Sequence, residues 1–275
     1  MKPARFDYLR AQSLSEVHAA LAQDGNDARV MAGGQTLLPM LSMRLARPKV
    51  LIDIMHLPEL RQVADHGDAI RVGAAVRQAE LLERPDLART APLLAAALPF
   101  VGHAQTRSRG TVCGSVAHAD PSAEIPLILV ALDGSIELST RRKRRHVKAA
   151  DFFTGMMSTG RDDDELIEAV SFPKAQGSHG YAFGEFGRRH GDFAIVACAT
   201  VASASGTRLA VGGVADRPTA RDFGTLEGGA LDDALDDFAF DLDARDDLHG
   251  TARYRRELVR RMGRQSIEEA RRCLA

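Results

Sequence analysis

Tryptophan is absent from this chain, and aromatic residues make up only 5% of it. The core must therefore be filled mainly by Ala, Val and Leu, small side chains that pack between closely spaced elements. Cysteine is also scarce. Cys113, Cys198 and Cys273 are widely separated and form no CxxC pair. That spacing argues against an iron–sulfur cluster or a structural zinc built within the chain. An odd number of thiols without a secretion signal points to a reducing compartment, and a cytoplasmic location is the expectation. An excess of one charge is missing too. Lys plus Arg number 36 and Asp plus Glu 37, a net charge of −1. Nothing in that balance calls for nucleic acid or an anionic membrane surface. Long apolar runs are lacking. The strongest, Pro121 to Leu132, contains Glu124 and is too short for a membrane span. The opening Met1-Lys2-Pro3-Ala4-Arg5-Phe6-Asp7 has no apolar centre of a signal peptide.

What is present is a chain of 275 residues, long enough for a sizeable core and more than one lobe. Val17, Ala20 and Leu21 recur at helical spacing, which predicts a helix over Ser15–Ala22 capped by Ser13 or Ser15. A strand over Ala28–Ala32, a helix over Thr36–Leu45 and a strand over Val50–Ile54 follow. Further strands are expected over Ala69–Ala74, Ser135–Thr140, Asp164–Val170 and Leu209–Val214. Helices are expected over Arg77–Leu82, Pro92–Leu98, Ala123–Leu132 and Gly250–Leu274, with Gly102–Gly110 irregular. The basic run Arg141–Arg145 reads best as an exposed hairpin; nucleic-acid binding, targeting and subunit docking are its other readings. The arginines of the tail, Arg255 and Arg256 among them, are expected on a solvated face. A shift to Gly, Ser and charge over Pro173–Gly180 marks a lobe boundary.

Two glycine-bearing segments stand out. Ala32-Gly33-Gly34-Gln35-Thr36 lies between a predicted strand and a predicted helix. Thr111-Val112-Cys113-Gly114-Ser115 runs on through Ala117 to Glu124. Neither is a GxGxxG fingerprint or a Walker A loop. Each offers small residues whose bare N–H groups can approach a phosphate, with Gln35, Thr36, Thr111 and Ser115 as side-chain donors. An ordinary turn has the same composition, so each loop alone leaves both readings open. As a pair they point to a diphosphate and hence a dinucleotide cofactor. Asp120 suits a sugar or ribityl hydroxyl as well as a helix cap, and Ser122 suits the cap too. His118 is more commonly a structural or surface group than a catalyst. Arg107 and Arg109 suit phosphate charge or a solvated loop equally.

The segments Ala32–Pro39 and Gly110–Pro121, with Gly187-Arg188-Arg189-His190-Gly191-Asp192-Phe193-Ala194 and Asp247-Leu248-His249-Gly250…Tyr254-Arg255-Arg256, resemble one family throughout. It is the FAD-binding (medium) subunit family of the molybdenum hydroxylases, the xanthine dehydrogenase and carbon monoxide dehydrogenase type. The resemblance implies an α+β fold: a two-lobed FAD-binding domain of PCMH type over 1–175, with lobes of about 1–57 and 58–175, then a smaller C-terminal α+β domain over 176–275. It implies that Ala32, Gly33, Gly34, Gln35, Thr36, Thr111, Cys113, Gly114 and Ser115 bracket the FAD pyrophosphate. Asp120 and Glu124 would lie near the ribityl chain, the Leu166 or Ile167 backbone near the flavin ring, and Phe193 beside the ring as a gate. It further implies a molybdopterin-binding large subunit, a [2Fe–2S] small subunit, a dimer of heterotrimers and an external electron acceptor. No residue here is expected to act as general acid or base. A stand-alone FAD oxidoreductase of the same fold is the alternative. Cys113 stands where the family commonly has glycine, which fits only if that position avoids positive φ. Ser115 stands for a frequent Asn, and Gly184 for a Lys found in some members. Gly33→Val and Gly114→Val are each expected to abolish FAD retention.

Overall fold

The computed structural model describes residues 2–274. Its first unit opens with β1 (Asp7–Arg10) and α1 (Leu14–Asp24). Of the two candidate caps, Ser13 is the one used: its hydroxyl accepts from Glu16 N–H at 3.2 Å. The Glu16 carboxylate accepts in return from Gln12 N–H at 2.8 Å. Next come β2 (Ala28–Met31), α2 (Leu37–Ser42) and β3 (Val50–Asp53). β3 pairs in parallel with both β1 and β2. The parallel β2–β3 pair needs a crossover, and α2 with the first glycine loop supplies it. α2 is shorter than the apolar pattern suggested, because Arg44 turns to φ 60° and ends it.

The second unit contains β4 (Val63–His66), β5 (Ala69–Gly73), α3 (Gln78–Leu82), α4 (Leu87–Thr90) and α5 (Pro92–Ala97). α6 (Ala104–Arg107), a short turn within the stretch read as irregular, leads to α7 (Val112–His118) and α8 (Glu124–Ala131). Then follow β6 (Ser135–Ser139), β7 (Arg144–Lys148), α9 (Ala149–Phe152), β8 (Phe153–Gly155), β9 (Ser158–Thr159) and β10 (Leu166–Pro173). Its sheet has the order β4-β5-β10-β6-β7, with β10 central and antiparallel to β5 and β6. The β6–β7 turn exposes Arg141, Arg142 and Lys143, so that part of the basic run is the expected hairpin tip. Its last two members are tied down instead. Arg145 grips the buried Glu165 through two nitrogens, at 2.7 and 2.6 Å, and Arg144 pairs with the buried Glu168 at 3.1 Å.

The third unit is the antiparallel sheet β11 (Gly180–Phe186), β12 (Val196–Ser203), β13 (Gly206–Gly212) and β14 (Thr219–Gly224), backed by α10 (Gly228–Asp241) and α11 (Ala252–Arg272). Strand alternation gives this sheet two destinations. Val196, Cys198, Leu209 and Val211 share a core with Leu231, Leu235 and Phe238 of α10 and Val259 and Ile267 of α11. Ala197, Ala199 and Ala210 face the other way and join the core of the second unit. Between the two units lies α8, every residue of which is buried. α10 was not expected. Its many Asp residues mask a helical pattern, yet Leu231, Leu235, Phe238 and Ala239 line its buried stripe.

One expectation is overturned. Arg255 does not lie on a solvated face. It is 4% exposed, and its Nη1 donates to the Ile195 and Gly213 carbonyls at 2.8 and 2.5 Å. Its Nη2 pairs with Asp247 at 2.5 Å. A guanidinium has five donors, and here they satisfy carbonyls that a buried loop junction would otherwise leave unmet.

Candidate functional site

The two glycine loops meet. A Cβ built on Gly33 would overlap the Arg109 carbonyl oxygen and lie 2.7 Å from Gly110 Cα. Only glycine permits that approach of two backbones. Gly34 takes φ +70°, in the left-handed region that glycine favours. Behind them the second loop is stitched to the sheet unit: Gln78 N–H donates to Gly110 O at 2.9 Å and Val112 N–H to Val76 O at 3.1 Å.

The loops differ in what they leave free. Among the described residues, the N–H groups of Gly33, Gly34, Gln35, Thr36 and Leu37 donate to no protein acceptor. The Thr36 side chain makes no cap bond, and Gln35 and Thr36 are exposed. The second loop is largely satisfied within itself. Thr111, 2% exposed, caps α7: its hydroxyl accepts from Gly114 N–H at 3.0 Å, and its carbonyl accepts from Ser115 N–H at 3.2 Å. Among the described residues, the Thr111 and Cys113 N–H groups find no acceptor. Arg77, which bridges to Thr111, has a buried Nε with no partner. The unmet donors thus gather around the contact of the two loops. A diphosphate is acceptor-only and negative, so this donor set fits the phosphate portion of FAD.

Cys113 answers the question raised by its departure from glycine. It lies inside α7 without positive φ, 2% exposed, its thiol directed at Val72 O at 3.5 Å. Burial pushes that thiol up to about 12, which leaves it inert as a nucleophile. The Cys113 side chain therefore belongs to the core, and only its backbone can face a ligand. Gly114 plays a local role as well: a Cβ there would stand 2.7 Å from Thr111 Oγ1 and press on the cap.

Past α7, Ala119 turns the chain at φ 53° and Asp120 Oδ1 accepts from Ser122 N–H at 2.8 Å. Neither residue caps α8. Its N-cap is Ala123, which makes no side-chain bond. Glu124 stands at the first position of α8, 4% exposed. Burial pushes its carboxyl up to about 7, with the nearby Asp120 adding to the rise. Arg107 is not free for a phosphate: its Nη1 donates to the carbonyls of Pro99, Val101 and Gly102. Arg109 remains exposed beside Gly33.

The C-terminal sheet closes on this region. Gly213 N–H donates to Pro121 O at 2.8 Å, which fixes the end of β13 to the extension of the second loop. The 187–194 segment rests on the start of α6, because Gly191, at φ +87°, packs where a Cβ would collide with the His103 ring. Phe193 on that segment is 61% exposed. Leu166 and Ile167 begin β10 and are buried. β5 pairs with β10 only from Ala169 onward, so the backbone edge at Leu166–Ile167 lies beyond it. One contributor, Arg77, was not singled out in the sequence, because its place beside Thr111 is set by the tertiary fold.

Residues 4–175 match the model of the FAD binding domain in molybdopterin dehydrogenase. Residues 181–270 match that of the CO dehydrogenase flavoprotein C-terminal domain. The chain is 37% identical to the nicotine 6-hydroxylase medium subunit of Paenarthrobacter nicotinovorans, over 98% of this chain and 99% of that one. It is 32% identical to the carbon monoxide dehydrogenase medium chain of Hydrogenophaga pseudoflava, over 98% of both. Among solved structures, a carbon monoxide dehydrogenase of Hydrogenophaga pseudoflava lacking the Mo-pyranopterin moiety of its cofactor superposes with a TM-score of 0.93 at 31% identity, covering 100% of both chains. Quinoline 2-oxidoreductase from Pseudomonas putida 86 does so with a TM-score of 0.92 at 31% identity, again over 100% of both chains. With both of its parts matched, this chain belongs to the FAD-binding medium subunits of the molybdenum hydroxylase family.

Proposed function

We propose that this chain is the electron-transfer subunit of a heteromeric molybdenum hydroxylase. It holds FAD without a covalent bond and passes electrons from the [2Fe–2S] clusters of a partner subunit to an external acceptor. The single observation that carries the reading is the contact of the two glycine loops with unmet N–H donors gathered around it. The chemistry supplied by bound FAD is electron transfer in single or paired steps; the protein binds, orients and sets the potential. Gly33, Gly34, Gln35, Thr36 and Ala32 form the principal cradle for the diphosphate, with the Thr111 and Cys113 amides, Gly114 and Ser115 opposite. Asp120 and Glu124 face the ribityl chain, the Leu166–Ile167 backbone edge faces the ring, and Phe193 guards the approach to it.

The complex we envisage adds a molybdopterin-binding large subunit and a [2Fe–2S] small subunit, arranged as a dimer of heterotrimers in the cytoplasm. The FAD-binding domain spans 1–175 and the C-terminal domain 176–275. Substrate oxidation then falls to the large subunit. Relatives named for nicotine, carbon monoxide and quinoline differ in substrate while sharing this scaffold, which supports that division of labour. Among the described residues no helix is long and apolar enough to cross a membrane.

Purification of the native complex tests the proposal. The expected preparation is yellow, absorbs near about 450 nm, and contains a larger and a smaller chain carrying molybdenum and iron. Reduction of the flavin by substrate with this chain alone would overturn it in favour of a stand-alone oxidoreductase.

A further inference from the structure

β10 begins with a stretch paired on one side only. Leu166 and Ile167 lie opposite Ser139 and Leu138 of β6, while β5 joins β10 from Ala169 onward. The register with β6 slips between Ile167 and Ala169, so Glu168 is the extra residue of a β-bulge. A strand end with one unpaired edge and a bulge behind it needs further ties to keep a fixed course.

Two buried carboxylates supply those ties, one on each side of the Leu166–Ile167 pair. Glu165, 1% exposed, accepts from Arg145 through two nitrogens at 2.7 and 2.6 Å and from Asp162 N–H at 2.9 Å. The same guanidinium donates to Gly160 O at 2.8 Å. Arg161 Nη1 donates to the Asp162 and Glu165 carbonyls at 2.8 and 2.7 Å. The 160–165 turn is therefore wound around one buried ion pair. Glu168 pairs with Arg144 at 3.1 Å, and its carbonyl accepts from Ala74 N–H at 2.9 Å. Arg144 and Arg145 are consecutive in β7 and project to opposite faces of the sheet. Arg144 is in register with Ser139 and Leu166, and Arg145 with Leu138 and Ile167. The last two members of the basic run thus reach across β6, one over each face, and grip β10 on either side of a single dipeptide.

We propose that Arg144 and Arg145 are positioning residues, which with Glu168 and Glu165 preform the Leu166–Ile167 backbone edge for the ring half of the flavin. The inference rests on the FAD reading above. Neither arginine touches the ligand; each acts through the backbone it holds. Arg145 carries the larger share, because its planar fork meets a carboxylate that is fully enclosed, whereas the Arg144 side chain is exposed. The clamp is separate from the glycine loops, which lie on other elements and on that reading take the diphosphate. Loss of the clamp therefore weakens recognition of the ring and leaves recognition of the diphosphate as it was.

The test titrates the full chain, freed of flavin, with FAD and separately with ADP, which carries the adenosine and the diphosphate and no ring. The double variant Arg145→Met, Glu165→Gln removes the ion pair without leaving a buried charge. It should bind FAD about tenfold more weakly than the wild type and ADP equally well, and the visible spectrum of its bound flavin should differ from that of the wild type. Arg145→Lys keeps the charge and loses the fork, so its FAD affinity should fall between the two. Arg144→Gln keeps the test alive should the double variant fail to fold: a smaller loss of FAD affinity is expected, again with ADP unchanged. Wild-type FAD affinity in these variants would overturn the proposal. Equal losses for FAD and ADP would overturn it too, because the pairs would then serve the fold alone. A wild type that binds neither FAD nor ADP would overturn the FAD reading itself, and the clamp with it.

Discussion

The two glycine loops look alike in sequence and are built to opposite ends. The first leaves five consecutive amides, Gly33 to Leu37, without an acceptor among the described residues and keeps Gln35 and Thr36 in solvent. The second closes on itself: Thr111 caps α7 through Gly114, Cys113 fills the core, and the Gly110 carbonyl ties the loop to α3. One loop is a presenter of donors and the other is the rigid wall it leans on. A glycine can serve a ligand, a neighbouring backbone or a cap, and only the acceptors around it tell which.

Substitutions at the two loops sharpen that contrast. The largest effect is expected for Gly33→Val. Its side chain would strike the Arg109–Gly110 backbone, separating the loops and eliminating FAD retention, as read by flavin content after purification. Retention of full flavin content would break the picture of one loop seated on the other. Next comes Thr111→Val, which removes the α7 cap and should cost about 1 kcal/mol of folding stability in denaturant titrations. Gly114→Val should lose FAD through the same cap, because its Cβ presses on Thr111 Oγ1. The smallest stability effect is expected for Thr36→Val. Its hydroxyl caps nothing, so stability should stay within about 0.5 kcal/mol. A Thr36→Val variant as destabilised as Thr111→Val would erase the distinction between the loops.

Much of this was legible in the chain. The β2–loop–α2–β3 unit, the strand leading to Pro173 and the long final helix all follow from apolar spacing and turn residues. What the pattern did not carry was pairing at a distance. Arg255 sits in an arginine-rich helix, and nothing local distinguishes it from its solvated neighbours. Its burial depends on Ile195 and Gly213, whose carbonyls arrive from just before β12 and just after β13. The same holds for Arg144 and Arg145, which read as members of a basic run until β10 brings Glu168, and the residue before it Glu165, opposite. α10 was hidden by its charge, because Asp is a weak helix former and its apolar stripe is sparse. In the candidate site, the glycines and the residue types were readable. The division between free and engaged amides was not, because it is set by which carbonyls the tertiary fold places nearby.

Amide hydrogen exchange, followed with and without FAD, tests the central claim most directly. FAD should slow exchange across Gly33 to Leu37, whose amides have no acceptor among the described residues, while Gly114 and Ser115, already bonded, should change little. Unchanged exchange at Gly33 to Leu37 on saturation with FAD would contradict the account.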